Sequence, residues 1–147
     1  MLKNPKLIVI LFFLLFTKAY AMDKEVISTT DAPKAIGPYS QAVRFGNQLF
    51  LSGQIALDPA TNEMSTGDVE TQTRIVLGNL KAVLAANNMT MENVLSSTVY
   101  LKHMADFPKV NAIYGESFKE KPPARATVEV SGLPKDALVE ISFIAGK

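Results

Sequence analysis

The sequence predicts one α+β domain, in which a mixed sheet carries two helices on one of its faces. Runs of alternating, β-branched residues predict strands, and two stripes of apolar residues at helical spacing predict the helices. The chain has 147 residues and is 48% apolar, enough for the core of a single domain. In chain order the elements read β-β-α-β-α-β-β.

The first half of the chain predicts a hairpin followed by a helix. Residues 43–53 form two strand-like runs about Gly46 and Asn47, a pair typical of a tight turn. Asp68 is the predicted N-cap of the first helix, which should end near Asn87. Its apolar stripe consists of Thr73, Val76, Leu77, Leu80, Val83 and Leu84.

The second half predicts a strand, a helix and two further strands. Residues 93–102 alternate, a helix should begin at Asp106, and residues 125–130 and 138–145 form the last two strands. The helical stripe comprises Phe107, Val110, Tyr114 and Phe118, with Asn111 on the same face. Two helices cover only one sheet face, so the other should expose apolar residues. We therefore expect a closed homo-oligomer.

Residues 1–21 have the pattern of a secretory signal peptide. Lys3 and Lys6 precede an apolar run at residues 7–16, and the small residues Ala19 and Ala21 precede a cleavage position after Ala21. The run is shorter than the roughly 20 residues that a membrane span needs. We expect a mature domain of residues 22–147 that is periplasmic or secreted. The alternative is that Met22 is the true start and the protein is cytoplasmic.

The composition excludes several classes of function. Removal of residues 1–21 leaves 12 basic and 14 acidic residues, a charge of −2 that disfavours polyanion binding. The absence of cysteine excludes disulfides, thiolate catalysis and Cys-ligated metals. The single histidine, His103, cannot form a His-based metal site by itself.

Arg125 is a candidate for binding a carboxylate. It follows Pro122 and Pro123 at the start of a strand, where its planar guanidinium would lose little further freedom on binding. The alternative is a surface ion pair, for example with Glu129. Within this strand, the alternation predicts that the core face carries Ala126, Val128 and Val130.

Glu140 is a candidate acid–base group. It shares a strand face with Leu138, Ser142 and Ile144, and a carboxylate among apolar neighbours is costly unless it is paired. It is therefore either the partner of a buried Lys or Arg, or a group that positions water and exchanges protons with it.

Further candidates are polar residues at the ends of elements. The Gly-Pro turn within residues 36–42 projects Tyr39, whose phenol could close a pocket and bind a ligand. Ser52 and Gly53 end a strand at a place where the backbone can approach a ligand. Asn111 on the apolar stripe is either a satisfied core amide or a ligand contact.

Several motifs in the same order resemble the RidA/YjgF family of reactive-intermediate deaminases. They are "IGPYSQAV", "LFLSGQIALDP", "FPKVNAIYGESF" and "PPARATVEVSGLPKDALVEI", and the resemblance covers about residues 26–145. It implies a chorismate-mutase-like α+β fold and a homotrimer with a central sheet barrel and three clefts between neighbouring subunits. It also implies hydrolysis of 2-aminoacrylate and related enamines and imines to 2-oxo acids and ammonia, without a cofactor.

The resemblance assigns roles to the candidates. It implies that Arg125 holds the substrate carboxylate, that Glu140 orients water, and that Tyr39, Ser52 and Asn111 complete the pocket. Thr127 stands where many members have cysteine, so its backbone is expected to be the useful group.

Two other functions are compatible with such a fold. One is a non-catalytic periplasmic protein that binds carboxylate ligands or acts as a chaperone. The other is an endoribonuclease or translation inhibitor, which the acidic mature chain and the lone histidine disfavour.

Overall fold

A computed structural model describes residues 23–147, so the predicted signal peptide lies outside the described residues. Six strands form one mixed sheet: β1 (Lys24–Ile27), β2 (Ala42–Phe45), β3 (Gln48–Gln54), β4 (Val94–Leu101), β5 (Ala124–Glu129) and β6 (Val139–Gly146). Their spatial order is β1-β2-β3-β6-β4-β5, and only β4 and β5 pair in parallel. The helices are α1 (Val69–Ala86) and α2 (Phe107–Ser117). Neither described helix is long and apolar enough to cross a membrane.

The α+β prediction is confirmed, and one strand was not predicted. The first strand, β1, pairs antiparallel with β2 at the sheet edge, with Lys24 opposite Phe45 and Ile27 opposite Ala42. It has only four residues, of which Ile27 alone is buried. A strand with one buried side chain leaves no alternating pattern, so the sequence could not reveal it.

The predicted turn and helix boundaries are present. Gly46 lies at φ +60° between β2 and β3, a conformation that favours glycine. The Asp68 side chain accepts a hydrogen bond from the Thr71 backbone N–H at 2.8 Å and caps α1. After α1, Asn88 adopts φ +52°, the left-handed residue that commonly ends a helix.

The core lies between the helices and one face of the sheet. Alternate residues of β6 point into it, and α1 supplies the opposite surface with its apolar stripe. Three rings form a connected series in this core, with Tyr114 and Phe118 centroids 4.6 Å apart and Phe118 and Phe143 centroids 5.8 Å apart. This series leads from the centre of the sheet to the candidate residue Arg125, described below.

The other sheet face is uncovered in the subunit, as expected from the sequence. Phe50, Val128 and Ile144 lie on it and are exposed by 42%, 42% and 37%. The prediction for β5 was wrong, because Ala126 and Val128 belong to this open face. Arg125 and Thr127 pair with Ser97 and Val99 of β4, whose side chains are buried beneath the helices. The side chains of β5 alternate between the two sheet faces, and periodicity shows which residues share a face. It does not show which of the two faces meets the helices.

Candidate functional site

One group of predicted site residues lines a cleft of about 370 Å³ at the end of β3 and β6. Tyr39, Ser52, Gly53 and Glu140 all border it, and we call it the Glu140 cleft. Ser52 and Gly53 lie where the pairing of β3 with β6 shifts register between Leu51 and Gln54. A bulge of this kind turns neighbouring side chains and backbone toward a site. The rest of the lining is mostly apolar and includes Pro33, Ile36, Ile55, Leu57 and Pro134.

The loop that carries Tyr39 is held by Gln41, which sequence reasoning did not single out. The Gln41 side chain is buried; it accepts a hydrogen bond from the Thr29 N–H at 2.7 Å and donates to the carbonyls of Ala32 and Pro33 at 3.2 and 2.8 Å. The Ser52 hydroxyl donates to the Ser40 carbonyl at 2.6 Å and ties the same loop to β3. A buried polar residue with this many partners fixes a loop firmly.

Tyr39 itself is open to the cleft and to solvent. Its side chain is 46% exposed, and its phenol oxygen accepts a hydrogen bond from the Ile36 N–H at 3.2 Å. The phenol hydrogen therefore stays available to a bound molecule.

The Glu140 carboxyl lies against the backbone of Gly53. A Cβ built on Gly53 would stand 2.0 Å from Glu140 Oε1 and 2.9 Å from Cδ, so the carboxyl occupies the place of a side chain. Partial burial raises the pKa of Glu140 above its ordinary value of 4.5. A carboxylate whose pKa is raised is a stronger base than an ordinary one, which suits a group that exchanges protons with water or a substrate.

A second group of residues surrounds Arg125, and we call it the Arg125 cluster. An Arg125 guanidinium N–H donates to Asn111 Oδ1 at 2.7 Å. The guanidinium carbon lies 4.6 Å from the centre of the Tyr114 ring and 5.7 Å from that of Phe107. These three partners are spaced at helical intervals along one face of α2. Asn111 lies on the predicted face of the helix, beside Phe107 and Tyr114, but it is exposed, so its interpretation as a buried core amide was wrong.

Neither charged candidate has the structural partner that the alternative interpretations required. Within residues 23–147 the salt bridges join Arg44 to Glu25, Arg74 to Glu116 and Lys102 to Asp136, and none involves Arg125 or Glu140. Glu129, the proposed surface partner of Arg125, instead accepts a hydrogen bond from the Met104 N–H. A fixed guanidinium without a carboxylate is suited to binding an anion.

The Glu140 cleft and the Arg125 cluster lie on opposite faces of the sheet. Glu140 pairs with Tyr100 on the open face, whereas Arg125 pairs with Ser97 on the helix face. Strand β4 separates them, and the register offset of three residues places their α carbons about 14 Å apart. Thr127 lies beside Arg125 on the helix face. A single chain therefore does not bring the two groups to one small molecule.

No three His, Cys, Asp or Glu side chains within residues 23–147 lie together in a group that could hold a metal ion.

Comparisons with known proteins agree on one family. Residues 29–147 match the family described as endoribonuclease L-PSP. A RutC family protein of Pyrococcus horikoshii is 56% identical over 124 residues, covering 84% of this chain and 98% of the relative. A 2-iminobutanoate/2-iminopropanoate deaminase of Dermatophagoides farinae is 45% identical over 82% of this chain and 94% of its own length.

Comparison with solved structures indicates the same family. The crystal structure of the yjgF gene product from E. coli superposes with a TM-score of 0.79 and 41% identity, covering 84% of this chain and 98% of that one. The chain therefore belongs to the endoribonuclease L-PSP family, which includes the RidA/YjgF proteins.

Proposed function

We propose that this protein hydrolyses 2-aminoacrylate and related imines of 2-oxo acids, and releases ammonia. The observation that carries the proposal is a pair of groups without an ion-pair partner: an Arg125 guanidinium held by Asn111, and a Glu140 carboxyl of raised pKa in a mostly apolar cleft. A relative named as a 2-iminobutanoate/2-iminopropanoate deaminase supports the same reaction.

The chemistry asks little of the protein. An enamine gains a proton at its terminal carbon and becomes an imine, whose C2 is already electrophilic. Water then adds to C2, and the proton that a base takes from it is returned to the imine nitrogen, which gives a carbinolamine. The carbinolamine hydroxyl then loses its proton, the amino group gains one, and the C–N bond breaks to release ammonia and leave the 2-oxo acid. Glu140 is suited to move these protons, and Arg125 to hold the carboxylate so that C2 meets the water. Tyr39, Ser52 and Gly53 would line the space around the reacting carbon.

A coupled assay tests the proposal. An amino-acid oxidase generates imines in place, semicarbazide traps those that survive, and the mature protein should reduce trapping and speed ammonia release. Ammonia release no faster than in buffer would reject the deaminase proposal. Tight binding of 2-oxo acids without any turnover would instead support a binding protein, and RNA cleavage that survives repurification would support a ribonuclease.

We further propose that the protein is a homotrimer in which neighbouring subunits complete each site. The open sheet face exposes apolar residues, and the Glu140 cleft and the Arg125 cluster need a second subunit to meet. Sedimentation of the mature protein at micromolar concentration should give the mass of a trimer. A stable, active monomer would contradict both parts of this proposal.

We also propose export, because residues 1–21 retain the pattern of a signal peptide. Recovery from the periplasm or the medium of a protein that begins at residue 22 would support this location, and recovery from the cytoplasm alone would oppose it.

Substitution Gly53→Ala should lower activity with little effect on stability. The new methyl group takes the place of the Glu140 carboxyl, which is the end of a flexible side chain and can move away at modest cost. We expect kcat/KM for imine hydrolysis to fall at least about tenfold, since a displaced acid–base group loses much of its effect. The melting temperature should change little.

Gly78→Ala is the matched control, because a Cβ at Gly78 on α1 meets open space. This variant should keep wild-type activity and gain slightly in stability, as alanine favours a helix. Wild-type activity in Gly53→Ala would show that the position of the Glu140 carboxyl does not matter.

A further inference from the structure

Tyr114 is a buried titratable residue that the proposed reaction does not use. It is 4% exposed, and its hydroxyl has no hydrogen-bond partner of regular geometry among the described residues. The hydroxyl of Ser97, which lies beside the Tyr114 phenol, is also buried without a hydrogen-bond partner of regular geometry. Its proximity lowers the pKa of Tyr114, but by less than burial raises it. Burial dominates and raises the pKa of Tyr114, so the phenol stays protonated at physiological pH.

The ring of Tyr114, and not its hydroxyl, is in contact with a candidate site residue. The Arg125 guanidinium carbon lies 4.6 Å from the ring centre, closer than it lies to Phe107. On its other side Tyr114 packs against Phe118, which in turn contacts Phe143 in the core. The ring is therefore held in a fixed plane, and it offers its π electrons to a cation.

We propose that Tyr114 is a positioning residue that fixes the Arg125 guanidinium for carboxylate binding. Arg125 stands on an edge strand and is exposed in the subunit, so its long side chain would otherwise sample many rotamers. Asn111 fixes one N–H, and the position of the guanidinium over the Tyr114 ring restricts its movement, which leaves the remaining N–H groups free for a ligand. The proposal rests on the proposed function only for the identity of the ligand.

The chain offers a direct spectroscopic test, because it contains only three arginines. Arg44 and Arg74 form exposed salt bridges and serve as internal references in a ¹⁵Nε–¹Hε NMR spectrum. Protons above an aromatic ring are shielded, so the Arg125 signal should lie upfield of the other two. Arg125→Lys assigns this signal by removing it.

Three variants then separate positioning from packing. Tyr114→Leu should move the Arg125 signal toward the references and lower kcat/KM about tenfold, mainly through KM, as expected for the loss of a cation–π contact. Tyr114→Phe keeps the ring and should retain both signal and activity. Phe143→Leu, which removes a buried ring that does not contact Arg125, should cost stability but leave the signal upfield.

Two results would overturn the proposal. One is an Arg125 signal in the wild-type spectrum that coincides with those of Arg44 and Arg74, which decides the question even if Tyr114→Leu fails to fold. The other is a folded Tyr114→Leu variant with an unmoved signal. If the wild-type protein turns over no imine, the proposed function fails, while the NMR spectra still report on the positioning of Arg125.

Discussion

Substitution Arg125→Lys should lower kcat/KM for imine hydrolysis by at least about tenfold and leave the oligomeric state and the melting temperature nearly unchanged. Lysine keeps the charge but loses the planar fork, so a two-point grip on a carboxylate becomes one flexible contact. A hydrogen bond to a charged group contributes about 1.5–3 kcal/mol, which corresponds to a loss of about ten- to a hundredfold or somewhat more. Steady-state kinetics and thermal unfolding of the same preparation measure both effects.

Arg74→Lys is the matched control for this experiment. Arg74 also presents two N–H groups to a carboxylate, that of Glu116, at 2.7 and 3.1 Å, but both partners are exposed and neither belongs to the Glu140 cleft or the Arg125 cluster. An exposed pair of this kind contributes little to stability, so activity and melting temperature should both be retained. Near-wild-type turnover in Arg125→Lys would remove Arg125 from the site. Lost stability with preserved activity per folded molecule would assign it a structural role.

Substitution Glu140→Gln should lower the activity and raise the stability at neutral pH. Removing the acid–base group should lower kcat by about 10²- to 10⁴-fold, the usual contribution of such a group. The amide has nearly the same shape, so the cleft should stay intact. A kcat within about threefold of wild type would show that another group moves the protons.

The stability effect of Glu140→Gln should depend on pH. Burial raises the pKa of Glu140 in the folded state above 4.5, so the folded protein favours the protonated carboxyl. That contribution is fully present below about pH 4.5 and is lost as the pH rises through the folded-state pKa. At pH 7 the carboxylate therefore destabilises the fold relative to glutamine. The melting temperature of Glu140→Gln should exceed that of wild type at pH 7, and the difference should shrink toward pH 4.

The sequence predicted most elements because each carried a complete local signal. Capping by Asp68 marks the start of α1, and the turn at Gly46 marks the boundary between β2 and β3. β1 was not predicted, because an edge strand with one buried residue has no alternation of buried and exposed side chains to detect. The faces of β5 were assigned in reverse, because Ala126 and Val128 are apolar although they lie on the open sheet face.

The candidate site was predictable only in part. Arg125, Glu140 and Tyr39 are chemically conspicuous residues next to turns or prolines, and motif resemblance added their roles. Gln41 and Tyr114 were not found as contributors, because one resembles any polar residue at the start of a strand and the other any core aromatic. Gln41 contacts Ala32, nine residues before it, and Tyr114 contacts Arg125, eleven residues after it. Neither contact follows the period of a helix or a strand, so local patterns do not encode it.

The placement of Arg125 and Glu140 on opposite sheet faces has a genetic consequence. If neighbouring subunits complete each site, every chain lends its guanidinium to the site on one side and its carboxyl to the site on the other. A defective allele expressed beside a normal one would then harm sites formed with healthy chains. Conversely, two inactive alleles, one lacking the guanidinium and the other the carboxyl, would form some intact sites when expressed together. The two alleles would then partly complement each other.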